Sequence, residues 1–116
     1  MGASGYKPDE DDDYHDLLAA TTNPIEKVLS RKTTPLSIYR YGQQWRAAAE
    51  FLTVMAPLYS HAERKKWLDL ALAKLDDLIK SDDWIAQWND PEIAKRTIIR
   101  ERDAFAMKRK ALLRKA

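Results

Sequence analysis

Few side chains in this sequence are set up to make or break a bond. Ser60 and His61 are adjacent, and a hydroxyl beside an imidazole is the pairing on which nucleophilic catalysis is built. Ser60, however, opens the run Ser60-His61-Ala62-Glu63 just after Pro57. That spacing is a capping box, in which the Ser and Glu side chains satisfy backbone amides at a helix start. His15 lies in an acidic stretch, so neither imidazole is held beside a nucleophile as a general base. The acids from Asp9 to Asp16 offer hard oxygen ligands. They are contiguous and contain no turn glycine, which is not the alternating pattern of a calcium loop. There is no cysteine, which removes disulfides and thiolate metal sites and fits a reducing compartment. Gly42 stands alone, so no glycine-rich loop cradles a phosphate. The expectation is a noncatalytic protein with no cofactor and no metal.

The chemistry that remains is that of charge. Residues 1–16 carry six acids against Lys7, about −5, whereas residues 91–116 carry nine Lys/Arg against three acids, about +6. A formal net charge of +2 therefore hides two oppositely charged ends. Each can recruit its own partner, or the acidic end can cover the basic one. The basic set, Lys95, Arg96, Arg100, Arg102, Lys108, Arg109, Lys110, Arg114 and Lys115, is the candidate polyanion-binding surface. Clustered cations on a helix release counterions from nucleic acid and give salt-sensitive affinity. The set does not form one clean stripe: Arg96, Arg100, Lys110 and Arg114 share a side with Asp103, while Lys95, Arg102 and Lys108 point elsewhere. No recognition-helix trio and no aromatic RNA platform accompanies it. A second candidate is Trp84 with Trp88, one helical turn apart among acids. They make one aromatic patch, either packed as a lid on the core or offered to a protein partner as an anchor.

The elements that position these groups read as all-α. No segment alternates with period two between turn dipeptides. Residues 1–16 form an acidic tail, read as disordered because it has little to bury. The single helical domain is then 17–116. Tyr14, Leu17 and Leu18 start a short helix that Asn23 and Pro24 interrupt, and Ile25, Val28 and Leu29 form another turn or two. Thr34 and Pro35 begin a long helix to about Ala56, with Ile38, Tyr41, Trp45, Ala48, Leu52, Met55 and Tyr59 on one face. Phe51, Val54 and Leu58 on its other flank imply neighbours on both sides. From His61 to Lys80 a second helix presents Trp67, Leu68, Ala71, Leu72, Leu75, Leu78 and Ile79, with Lys65, Lys66, Asp69, Asp76, Asp77 and Lys80 opposite. The short connection makes the two an antiparallel hairpin. A brief helix capped by Ser81 to Asp83 holds Trp84, Ile85 and Trp88.

The last helix runs over about 91–114. Ile98, Phe105 and Leu112 are spaced by seven with Ala94 in line, but Glu101, Arg102, Lys108 and Arg109 occupy the second seam position. The spacing predicts a helix packed near its start that then projects with its cations in solvent.

The whole is expected to be a small bundle of four or five helices on a central hairpin. The longest apolar stretch, Ala47 to Leu58, is too short for a membrane span of about 20 residues. With no secretory signal, and Tyr6 where a myristoylation pattern wants Ser or Thr, the expected location is the cytoplasm. The function expected is a protein–protein interaction module: an adaptor, regulator or assembly subunit, able to form homo-oligomers. The alternative is an accessory protein that contacts DNA or RNA phosphates through the basic helix.

Overall fold

The computed structural model describes the backbone of residues 12–114 and the side chains of residues 19–114. Its elements are α1 (Asp12–Leu29), α2 (Pro35–Met55) followed by a 3₁₀ turn (Ala56–Leu58), α3 (His61–Ile79), α4 (Asp82–Ile85) and α5 (Pro91–Arg114). The bundle is all-α, with the α2–α3 hairpin at its centre. α1 lies against α2 and α3, α5 against α3 and α2, and α4 bridges α3 to α5. The expected acidic tail falls outside the described residues up to position 11; from Asp12 the chain is already helical.

Local chemistry sets the helix starts. The Thr34 hydroxyl accepts from the Ser37 amide at 3.0 Å and Ser37 Oγ accepts from the Thr34 amide at 2.7 Å, a complete capping box ahead of Pro35. The box expected at α3 is half made. Ser60 Oγ accepts from the Glu63 amide, but Glu63 turns its carboxylate to the Trp67 indole N–H, 3.1 Å away. Asp90 caps α5 by accepting from the Ile93 amide at 3.1 Å. Ser81 gives α4 no side-chain cap.

Pro24 does not interrupt α1. It sits inside one continuous helix, at an exposed position. Its ring forfeits the hydrogen bond to the Ala20 carbonyl. Buried Thr22, Ile25 and Leu29 on the inner face hold the helix axis through the gap.

The core is formed by Trp45, Ala48, Ala49 and Leu52 of α2 and by Trp67, Leu68, Ala71, Leu75 and Leu78 of α3. Ile25 and Leu29 of α1, Trp84 and Ile85 of α4, and Ala94, Ile98 and Phe105 of α5 join it. Trp45 is fully buried, and its indole N–H donates to the Val28 carbonyl at 2.8 Å, which fixes α1 on α2. Phe51 and Val54 on the opposite flank of α2, and Leu58 in the turn after it, are exposed among the described residues. The two-sided packing expected for this helix is therefore corrected. Its core face is filled by α1, α3 and α5 together, and among the described residues no helix covers the side that carries Phe51, Val54 and Leu58.

Gly42 is where α2 lets α4 approach. A Cβ there would lie 2.8 and 2.9 Å from two carbons of the Trp84 ring, and that ring is itself buried. Gly42→Ala gains helix propensity of up to about 1 kcal/mol, but the overpacking costs roughly 1–3 kcal/mol. Urea unfolding should show a net loss of stability that Trp84→Leu in the same chain partly recovers; equal or higher stability of G42A would contradict the close packing.

Candidate interaction surfaces

α5 does not project from the hairpin. It runs antiparallel along α3 to its end, and side chains read from sequence as solvent-facing make the contact. Arg102 Nε donates to Asp76 at 2.7 Å, and Arg109 Nε donates to Asp69 at 2.6 Å. One turn from the α3 start, Arg64 donates to the carbonyls of Ala56, Tyr59 and Leu112 at 2.9, 3.2 and 3.1 Å. The Leu112 carbonyl is among the last four of α5, which no intrahelical amide can satisfy. On the other side, Arg46 of α2 donates through Nε to Glu101 at 2.8 Å, pairs a second time with the same carboxylate, and lies over the Trp88 ring. Three of the four seam positions that lacked apolar residues, Glu101, Arg102 and Arg109, are thus filled by ion pairs to the two helices of the hairpin.

This partition sorts the candidate polyanion-binding residues. Arg102 and Arg109 are committed to α3, and Lys95 lies 3.8 Å from Asp82 of α4. Lys108 borders the shallow groove between α2 and α5, beside Glu50, Thr53 and Phe105. Arg96, Arg100, Lys110 and Arg114 are exposed, with no ion pair among the described residues. They share the outward side of α5, opposite Ala94, Ile98 and Phe105. Lys115 lies outside the described residues. Ile93, 55% exposed, and Met107, 74% exposed, interrupt the same outward row, as does Asp103, which accepts from Arg102.

The tryptophan pair is placed differently from an anchor. Trp84 is 6% exposed and wedged over Gly42, so it has no free face to give a partner. Trp88 is half-buried, meets Trp84 edge-on with centroids 5.6 Å apart, and carries Arg46 over its ring. The pair works first as the lid that closes α4 over the hairpin.

Two polar features were not found from sequence. Lys74 interrupts the apolar face of α3 and is buried. Its ammonium donates to the Arg31 carbonyl at 2.5 Å and to Thr33 Oγ1 at 2.8 Å, and lies 4.6 Å from the centroid of a Trp45 ring. Thr33 in turn donates to Asp77 at 3.0 Å. Burial lowers the Lys74 pKa, against an opposing pull from Asp77. Lys74 is the strap that holds the α1–α2 connection against α3. The second feature is the Tyr59 hydroxyl, buried beside Thr22; burial raises its pKa, and the Thr22 hydroxyl acts in the opposite sense.

The other exposed apolar surface lies on the second half of α2 and the 3₁₀ turn after it. Ala47, Phe51, Val54 and Leu58 are spaced by four, three and four, on the side of the helix away from Trp45 and Leu52. Among the described residues, no group of three or more His, Cys, Asp or Glu is arranged to hold a metal ion, and no helix is long and apolar enough to cross a membrane. Comparison with protein-family models, with curated proteins and with solved structures found no match to this chain.

Burial by itself would raise the Asp69 pKa, but hydrogen bonds from Lys65 and Arg109, with their charge, outweigh it and hold the carboxyl below its usual value. A carboxyl with a depressed pKa in the folded state adds stability above its unfolded pKa, and that stability is lost as pH falls through the folded value. These are partly exposed groups screened by solvent, so Asp69→Asn should cost no more than about 1 kcal/mol at neutral pH. Urea titrations of wild type and D69N should converge as pH is lowered through the carboxylate range; a gap that persists in acid would assign the loss to packing instead.

Proposed function

We propose that this protein is a noncatalytic interaction module that binds an acidic protein surface through the outward side of α5. The observation that carries this reading is the composition of that side. Arg96, Arg100, Lys110 and Arg114 make no ion pair among the described residues while Lys95, Arg102 and Arg109 are used within the fold, and exposed Ile93 and Met107 interleave with those four cations. Cations steer an oppositely charged partner into encounter. Exposed apolar side chains within the same row give that partner area to bury, which a phosphate backbone does not need. Arginine and methionine are also enriched where proteins meet.

The second reading is contact with DNA or RNA phosphates, supported by the four free cations spread along one side of a six-turn helix. The two differ in what Met107 does. In fluorescence-anisotropy titrations at two salt concentrations, an acidic amphipathic peptide and a random-sequence oligonucleotide serve as probes. The protein reading expects the peptide to bind, with R96A/R100A weakening it at low salt and Met107→Ser weakening it roughly tenfold at either salt. Tight oligonucleotide binding with a steep salt slope and no response to M107S would replace this reading with the phosphate one. Binding of neither probe at low salt would remove α5 as the functional surface.

A further inference from the structure

Ile93, Arg100, Met107 and Arg114 of α5 stand seven residues apart, and Arg96, Asp103 and Lys110 each stand three residues after one of the first three. All seven are exposed. The steps therefore alternate three and four without a break, from the first turn of α5 to its last residue, over roughly 32 Å. Ala94, Ile98 and Phe105 turn away from this line and are buried against the hairpin. α5 thus carries two heptad lines, an inner one used by the fold and an outer one left in solvent.

The spacing selects the shape of what can lie on the outer line. Three and four residues of helix rise about 4.5 and 6 Å, and a second α-helix laid alongside presents its side chains at the same two intervals, so contacts repeat along the whole line. An extended strand presents one face about every 6.6 Å and falls out of step.

Charge selects what that helix carries. Arg96 with Arg100 makes one cationic step and Lys110 with Arg114 the other, and none of the four has an ion pair among the described residues. Asp103 stands between the two steps, with a side chain 63% exposed that accepts from Arg102 at 3.3 Å. A second α5 does not fit. Laid parallel, it sets each arginine on itself; laid antiparallel about Asp103, it sets Arg96 on Lys110 and Asp103 on itself, and like charges placed opposite each other repel. An acidic helix fits, with carboxylates facing the two cationic steps, apolar side chains facing Ile93 and Met107, and a basic side chain facing Asp103. Polar groups on such a line fix register and partner at a cost in stability. Asp103 also disfavours a helix that is acidic throughout.

We infer that the partner of α5 is an acidic α-helix of about six turns, lying along the outer line in heptad register, with two acidic steps separated by a basic residue. This rests on the reading that α5 binds an acidic protein surface, and adds to it the partner's shape and the order of its charges.

Two synthetic peptides of one composition, each as long as α5, serve as probes for the full chain in fluorescence-anisotropy titrations. In the register peptide, Glu, Leu and Lys stand where the outer line calls for them; in the shuffled peptide the same residues are moved off the three-four spacing. The register peptide should bind at least roughly tenfold more tightly, and a proline at its centre, which breaks the helix, should remove most of that gain. Arg100→Glu should weaken the register peptide by a similar factor, and a peptide with Lys in place of the facing Glu should recover the affinity. Asp103→Lys should weaken the register peptide, which has Lys opposite, and strengthen its form with Glu there. Each variant should keep the helical circular dichroism of wild type.

Equal affinities for the register and shuffled peptides would overturn the helical partner and leave the acidic-surface reading standing. Binding of neither at low salt would remove both. An R100E loss that the swapped peptide does not recover, or a D103K chain that ranks the two central residues as wild type does, would overturn the register.

Discussion

The rotation of α5 about its own axis is fixed by carboxylates it does not own. Asp76 and Asp69 on α3, seven residues apart, each take an arginine of α5 that is also seven residues from the next, while Glu101 turns the other way to Arg46 of α2. Burial of Ala94, Ile98 and Phe105 supplies the driving force for docking, since partly exposed ion pairs contribute little net stability. What the pairs supply is orientation. A narrow apolar stripe alone would tolerate a rocking helix; pairs on both flanks of that stripe do not. Every statement about which cations face solvent follows from this constraint. It converts a row of basic residues without an evident stripe into an inner set that holds the bundle and an outer set that is free.

Much of the architecture was legible in the sequence, because it rests on local rules. Thr34-Pro35 and the three- and four-residue steps from Ile38 to Leu52 each carry their own physical meaning, and α2 starts and runs where these signals put it. The failures share a cause: the outcome depended on a residue far away in the chain. Pro24 is a local helix breaker overruled by the burial of Ile25 and Leu29. Lys74 violates the apolar pattern of α3, and only the carbonyl of Arg31 and the hydroxyl of Thr33, more than forty residues upstream, account for it. Asp69 and Asp76 look like a solvated face until the arginines that meet them are known. The same holds for the candidate surfaces. Periodicity found the outward row of Arg96, Arg100, Lys110 and Arg114, but could not tell that Arg109 was already engaged. It also left Trp84 open between lid and anchor, because nothing in the sequence links it to Gly42.

The cation-rich side of α5 and the apolar end of α2 lie on different faces of the molecule. The α5 cations without an ion pair among the described residues include the outward row of Arg96, Arg100, Lys110 and Arg114, whereas exposed Phe51, Val54 and Leu58 lie on the outer side of α2 and of the turn that follows it, separated from α5 by the Arg46–Glu101 pair and the Lys108 groove. Two surfaces of unlike chemistry on one small rigid body can be occupied at once. A contact on one does not desolvate the charges of the other, and the salt dependence of one contact need not be shared by its neighbour.

The Arg46–Glu101 pair also joins positions 55 residues apart, whereas α2 meets α3 across a five-residue connection. Closing a loop grows costlier with its length by only about 0.6 kcal/mol per doubling, but that increment falls on the longer closure alone. During folding, the α2–α3 hairpin can therefore assemble first and present Asp69, Asp76 and Arg46 as a finished template. α5, with Ala94, Ile98 and Phe105 as its buried residues, can then condense onto that template.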